Sequence, residues 1–473
     1  MVAHVDIPFP TRPGEACGVF GIHTPGGDVA RLTYFGLFAL QHRGQESAGI
    51  GISDRETLTV YKDLGLVAKV FDERTLAGLQ GDIAIGHTRY STTGSTVWKN
   101  AQPVYRQVGR NGIALAHNGN LTNTTELATL VESPEATTDS ELMTALIAER
   151  MESHGDDLAN ALASVLPRLD GAYSLTIMDC DHLVGVRDPH GFRPLCLGSI
   201  DGGWVLASET AALDLVGAEF VRELDPGEMV VIDDDGVTSI PLFPTASDQL
   251  CLFEFVYFAR PDSTLHGQNV HRARRRMGTA LADQAPVDAD VVVPVPESGI
   301  PAAQGFAEAS GIRYTEGLVK NRYVGRTFIQ PAQSMRDRGI RVKLNAMPGE
   351  LRGRRVALVD DSIIRGSTTR QLVQMVRDAG ASEVHLRISS PPYRWPCFYG
   401  MDTGDRSTLL AAGRDVDEIA DFLEVDSLAY LELDRLIEAT GAPTDSFCTA
   451  CLSGKYPTDV PIANAKFVLE VAE

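Results

Sequence analysis

Fourteen consecutive residues constrain this chain more than any other stretch. Val356 to Thr369 reads Val-Ala-Leu-Val-Asp-Asp-Ser-Ile-Ile-Arg-Gly-Ser-Thr-Thr, an apolar β-type run that enters two acids and then a small-residue turn. Acids at a strand end are placed to accept hydrogen bonds from vicinal ribose hydroxyls, as an acidic residue does in dinucleotide sites. The turn from Arg365 to Thr369 opens a helix, whose free N–H groups and dipole favour a phosphate. Gly366 lets backbone approach the anion, and Thr368 and Thr369 add hydroxyl donors. Paired acids after a strand also occur as a plain solvated loop or helix cap. Fourteen residues in this order point instead to a ribose 5-phosphate cradle.

The surroundings agree. From about Asn269 the chain alternates strand, loop and helix. Val291 to Val295 precedes a helix near Ala302 to Ala309, Val356 to Val359 precedes one near Thr369 to Ala379, and Glu383 to Ile388 is a further strand. This alternation predicts βαβ units and a parallel sheet that gathers ligands at its strand ends. Lys320 to Lys343 concentrates Arg322, Arg326, Arg336, Arg338 and Arg341 against the single acid Asp337. A solvated basic face would look the same; beside an anion site, a lid that closes over substrate is the preferred reading.

The first half has another texture. Short β-type runs recur at Gly18 to Ile22, Ile83 to Thr88, Ile113 to His117, Tyr173 to Met178, Leu183 to Arg187, Trp204 to Ser208 and Met229 to Ile232, with helical patterns at Ala30 to Leu40 and Ser140 to Met151. Sheets with helices packed against them are expected. Leu242 to Asp248 is a candidate linker, and beyond Ser407 the chain reads as helices followed by a Cys448 to Tyr456 loop. Cys17 alone would read as a buried structural cysteine. The polar blocks His87-Thr88-Arg89-Tyr90-Ser91-Thr92 and His117-Asn118-Gly119-Asn120-Leu121 at predicted strand ends change that reading.

Together with Gln41-His42-Arg43-Gly44-Gln45-Glu46-Ser47 and Thr138-Asp139-Ser140-Glu141, these blocks resemble the glutaminase domain of N-terminal-nucleophile amidotransferases, over nearly the whole first half. The resemblance implies removal of residues 1–16 by cleavage after Ala16, so that the Cys17 α-amine becomes the general base for its own thiol. It also implies that Arg89 clamps the α-carboxylate of glutamine, that Asp139 holds its α-ammonium, and that Asn118 and the Gly119 N–H bind the oxyanion. The fourteen-residue run resembles the phosphoribosylpyrophosphate motif of type I phosphoribosyltransferases. That likeness implies substrate contacts from Asp360, Asp361, Arg365, Gly366, Ser367, Thr368 and Thr369. The loop Val295-Pro296-Glu297-Ser298-Gly299 would carry pyrophosphate contacts, with Ser298, Asp360 and Asp361 around a Mg²⁺.

Seven cysteines, at 17, 180, 196, 251, 397, 448 and 451, are an odd number in a chain without an export signal, so disulfides are the less favoured use. Cys180 and Cys196 fall in β-type runs and are expected in the core. The Cys448-x-x-Cys451 pair alone suits zinc, redox chemistry or chance, with zinc leading. With Cys251 and Cys397 it makes four thiolates, which suit zinc or a [4Fe–4S] cluster equally by spacing. Over essentially its whole length the sequence resembles the glutamine phosphoribosylpyrophosphate amidotransferase family, and specifically its iron–sulfur branch, which implies a structural [4Fe–4S] cluster on these four. The family also implies feedback inhibition by purine nucleotides (AMP, GMP, ADP, GDP) and a homotetramer.

Fold and organisation follow. An α+β αββα sandwich of the N-terminal-nucleophile type (17–245) after a leader (1–16) is expected to precede an α/β phosphoribosyltransferase domain with a parallel sheet (246–406) and a C-terminal helical segment carrying the cluster loop (407–473). A length of 473 residues suits two or three domains. The net charge of −21 argues against a nucleic-acid partner, and no apolar run approaches the ~20 residues of a membrane span, so a cytoplasmic enzyme is expected. A sugar-isomerase amidotransferase or asparagine synthetase would share the first half but not the phosphoribosyl motif. A ligand-sensing regulator would need no glutaminase.

Overall fold

A computed structural model describes residues 17–91, 94–131, 136–321, 343–403, 405–461 and 469. The expected leader, Thr92 and the five arginines expected to form a lid lie outside the described residues.

In the first half two antiparallel sheets stack face to face. Seven strands run in the order Glu219–Glu223, Cys196–Ile200, Gly203–Ala207, Gly18–His23, Ile83–Arg89, Ser47–Ser53, Leu58–Leu64. Six more run Gly236–Pro241, Glu228–Asp233, Leu183–Arg187, Gly171–Met178, Asn111–Leu121, Val104–Val108. Strand alternation sends Phe20 and Ile22 outward beneath helix Val29–Ala39, while Val19 faces Met178 and Ile232 of the other sheet. Helices Asp139–His154 and Leu158–Val165 cover the second sheet. The result is the four-layer αββα sandwich.

The second half holds a fully parallel sheet ordered Val291–Pro294, Arg355–Asp360, Glu383–Ile388, Ser427–Tyr430. Its two middle strands are almost wholly buried. Val292, Ala357 and Val359 pack with helices Val270–Gln284 and Ile300–Ser310, and Val293, Val356 and Leu358 with Ser367–Asp378 and Val416–Leu423. This is the doubly covered arrangement that makes parallel strands read as continuous Val/Leu runs. The last strand corrects the all-helical reading beyond Ser407. Ser427–Tyr430 is a four-residue edge strand, only partly buried along most of its length, too short and too mixed in composition to carry a β signature. Among the described residues no helix is long and apolar enough to cross a membrane.

Candidate active sites

The register of the first sheet places Gly18 opposite Thr88 and Ser47 opposite Arg89, so three sequence blocks meet beside Cys17. A small cavity there, about 10 Å³, is lined by Cys17, Arg89, Tyr90, Gln102, His117, Gly119, Thr138, Asp139 and Ser140. That is roughly the space of one water. The Cys17 Sγ–H donates to the Tyr90 carbonyl (3.3 Å) and Sγ accepts from the Tyr90 N–H (3.4 Å). Burial pushes the thiol up to about 11. Such a thiol has almost no thiolate at neutral pH, so its reactivity depends on a base close at hand.

Arg89 and Asp139 both line the cavity with buried side chains. The Arg89 guanidinium donates to the Ser95 carbonyl (3.2 Å) and lies 3.8 Å from Glu46. Asp139 opens its helix and accepts from the Leu121 N–H (3.2 Å) and the Ser140 N–H (2.9 Å), which fixes the carboxylate toward the cavity-lining strand. Asn118 and Gly119 lie inside strand Asn111–Leu121, not beyond a strand ending at His117. The Asn118 amide is fully buried, and neither its Nδ2 nor its Oδ1 has a hydrogen-bond partner among the described residues. Asn118 is not among the residues that line the cavity, although its strand neighbours His117 and Gly119 are, and an orphaned buried amide of this kind costs about 1 to 3 kcal/mol.

Tyr90, Gln102, His117 and Ser140 had no assigned role in the sequence. Gln102 and Ser140 brace His117: the His117 N–H donates to Gln102 Oε1 (2.7 Å), Gln102 Nε2 donates to Ser140 Oγ (3.0 Å), and His117 Nδ1 lies 3.2 Å from the same hydroxyl. Nothing local marks Gln102; only the fold brings it here. Ser140, beside Asp139, could have been found from the Thr-Asp-Ser-Glu block.

The second site forms where strand Arg355–Asp360 ends. Gly366, at φ +77°, starts helix Ser367–Asp378, so Ser367, Thr368 and Thr369 form its first turn, where the positive end of the helix dipole lies. A Cβ at Gly366 would come within 2.6 Å of Leu410. Asp360 and Asp361 are both buried. Asp361 Oδ1 accepts from the Ser362 hydroxyl (2.5 Å), while Oδ2 is buried without a partner among the described residues. The Val295–Gly299 loop is tied to the same strand end by the Val295 N–H, which donates to the Val359 carbonyl (2.8 Å). Ser298 and the two acids thus share one end of the sheet, together with Arg365 at the mouth of the turn.

These oxygens suit Mg²⁺. Among the described residues no three His, Cys, Asp or Glu side chains converge to hold one ion. Mg²⁺ keeps several waters and draws ligands from substrate phosphates, so one or two carboxylates suffice.

Cys251 and Cys448 are register partners in a short parallel pair, Leu250–Cys251 with Phe447–Cys448, and Cys451 follows in helix Ala450–Ser453. Cys397 joins them in the same buried cluster. None of the four is in a disulfide. Burial raises Cys251 to about 11 and drives Cys448 and Cys451 higher, with neighbouring thiols adding to the rise in each case. The expected core residues Cys180 and Cys196 are buried elsewhere.

The fold and its two sites define an N-terminal-nucleophile glutamine amidotransferase joined to a type I phosphoribosyltransferase. Residues 87–215 match the family model described as a glutamine amidotransferase domain. The chain is 53% identical to the amidophosphoribosyltransferase of Synechococcus elongatus over 98% of its own length and 95% of that protein. It is 45% identical to that of Bacillus subtilis, over 94% and 95%. The solved B. subtilis glutamine phosphoribosylpyrophosphate amidotransferase, complexed with ADP and GMP, superposes with TM-score 0.87 at 44% identity, covering 94% of this chain and 98% of that one. The chain belongs to the amidophosphoribosyltransferase family.

Proposed function

We propose that this chain hydrolyses glutamine at Cys17 and passes the ammonia to C1 of 5-phosphoribosyl 1-pyrophosphate, giving 5-phosphoribosylamine, pyrophosphate and glutamate, the first committed step of purine synthesis. The observation that carries the reading is the cavity that brings Cys17, Arg89, Gly119 and Asp139 together from distant parts of the chain.

With residues 1–16 removed, the Cys17 α-amine has an ordinary pKa of about 7.7 to 8.0 and takes the thiol proton that a mid-chain amide could not. The sulfur attacks the side-chain carbonyl carbon of glutamine, the oxygen's charge falls to Asn118 Nδ2 and the Gly119 N–H, and the C–N bond breaks as the Cys17 α-ammonium returns its proton to the departing nitrogen, releasing ammonia. Water then cleaves the thioester and frees glutamate. Arg89 and Asp139 orient the amino-acid end through opposite charges. The cavity walls must part to admit glutamine. In the second half the ammonia nitrogen bonds to C1 as the pyrophosphate leaves. Asp360 and Asp361 hold the ribose hydroxyls, and the Arg365–Thr369 turn holds the 5-phosphate. A Mg²⁺ held by Ser298, Asp360 and Asp361 would neutralise charge on the departing pyrophosphate.

A structural [4Fe–4S] cluster on Cys251, Cys397, Cys448 and Cys451 belongs to the same reading. A cluster takes one thiolate per iron, and Cys251, Cys397, Cys448 and Cys451, buried in one cluster of the second half, would supply the four. Feedback by AMP, GMP, ADP or GDP, a homotetramer and a cytoplasmic location complete it. The ADP and GMP in the B. subtilis structure support the nucleotides, and seven cysteines outside any disulfide support the compartment. Two variants assayed with glutamine and with ammonia test the assignment. Cys17→Ala should lose synthesis from glutamine and keep synthesis from ammonia, while Asp361→Asn should lose both. Glutamine-dependent synthesis by Cys17→Ala would refute the reading.

A further inference from the structure

A chain of fully buried charges runs from the nucleophile to the far half of the protein. Arg43 Nε donates to the carbonyl of Cys17 (3.0 Å). Its two terminal nitrogens donate to Glu254 (3.0 and 2.7 Å), and one of them also to Glu209. Arg193 Nη1 donates to the same Glu254 carboxylate (3.2 Å). The other two nitrogens of Arg193 close on the Tyr399 carbonyl at 3.0 and 2.8 Å. The side chains of Arg43, Arg193, Glu209 and Glu254 are all 0% exposed.

The segment that Arg193 holds lies directly behind the oxyanion strand. Asn120 Nδ2, two residues past Asn118, donates to the Phe398 carbonyl (3.0 Å). Phe192 stacks on Tyr399 with ring centroids 4.2 Å apart. Gly400 is so close that a Cβ there would stand 2.9 Å from Arg193 Nη2 and 3.4 Å from the Gly119 carbonyl carbon. Nothing in the proposed chemistry uses Arg43, Arg193 or Glu254. Yet Glu254 bonds to both arginines, one fixing the backbone of the nucleophile and the other the segment that backs the oxyanion donor.

We infer that Glu254, supplied by the second half of the chain, is a positioning residue of the glutaminase site, setting the Cys17 backbone through Arg43 and the Gly119 backbone through Arg193 and residues 398–400. The inference rests on the assignment of Cys17 as nucleophile. Its physical basis is that two arginines sharing one carboxylate couple their positions, and that a misplacement of about 1 Å in a reacting group can cost on the order of 10²-fold in rate.

Glu254→Asp keeps the two-plus, two-minus balance but draws the carboxylate back by about one methylene. Arg193→Lys keeps the charge and loses the two-pronged grip on Tyr399. Each is assayed with glutamine and with ammonia, beside Cys17→Ala and a thermal melt. The expected result is a fall of about tenfold or more in kcat with glutamine, a KM for glutamine within about threefold, and ammonia-dependent synthesis within about twofold of the unmodified enzyme. A folded variant with a normal glutamine kcat overturns the inference, and so does a parallel fall of both activities. If neither variant folds, the network is scaffold and the positioning role is likewise refuted. If glutamine turnover survives Cys17→Ala, it is the functional assignment that fails.

Discussion

At the scale of single residues, the two sites share a physical mark: each contains a buried polar atom with no partner. Asn118 presents both ends of its amide and Asp361 one carboxylate oxygen. Buried polar groups are nearly always paired in folded proteins, so one left over beside the cavity-lining Gly119, or at a strand end, points to a ligand. For Asn118 the consequence is specific. Removing one oxyanion donor costs about 10²- to 10³-fold in kcat, so Asn118→Ala should lose that much glutaminase turnover while ammonia-dependent synthesis is retained. Steady-state rates with the two nitrogen donors measure it, and near-normal glutaminase activity contradicts it. The residue level was well signposted in the sequence where chemistry comes in blocks. Cys17, Arg89, Gly119 and Asp139 do line one cavity. Gln102, Glu209 and Glu254 were not legible, because a lone polar residue becomes a brace only when the fold delivers a partner from far along the chain.

Elements divide in the same way. Strands buried on both faces, such as Ile83–Arg89 and Arg355–Asp360, announce themselves as β-branched and aliphatic runs, and both were read within two residues. Ser47–Ser53, Leu58–Leu64 and Glu219–Glu223 were missed. The first is glycine-rich, and the other two have many exposed positions, so none carries a strong β signal. Strand Asn111–Leu121 extends past the point, His117, where its polar residues break the β pattern in the sequence. The four cysteines proposed as cluster ligands lie on elements that only the tertiary fold unites: two residues of strand at 250–251, two at 447–448, one turn of helix at 450–453, and the loop at 397. Iron and acid-labile sulfide analysis of anaerobically purified protein should give about four of each per chain. One zinc per chain would replace the cluster with a single-ion site.

For the whole molecule, the buried Arg43, Glu209, Glu254 and Arg193 network joins the two halves, and its cohesion depends on pH. Burial alone would raise Glu209, but His42 and Arg43 outweigh it and hold the carboxylate well below its ordinary range. Since the folded value is depressed, the unfolded chain takes up the proton first. The stabilisation is therefore complete above the unfolded value of about 4.3 and is lost as pH falls below it. Thermal melts should show a steep loss of stability below about pH 4.5, weaker in Glu209→Gln if that variant folds, because the titrating group is gone. An acid limb of equal steepness in that variant would remove Glu209 from the account.

The glutaminase chemistry proposed for this chain requires that the working nucleophile and its base belong to a single terminal residue. Intact mass spectrometry of the active enzyme, paired with its glutaminase rate, addresses it directly. The predicted result is a chain beginning at Cys17, with turnover proportional to the processed fraction. Full glutamine turnover from a chain that still carries residues 1–16 would contradict it.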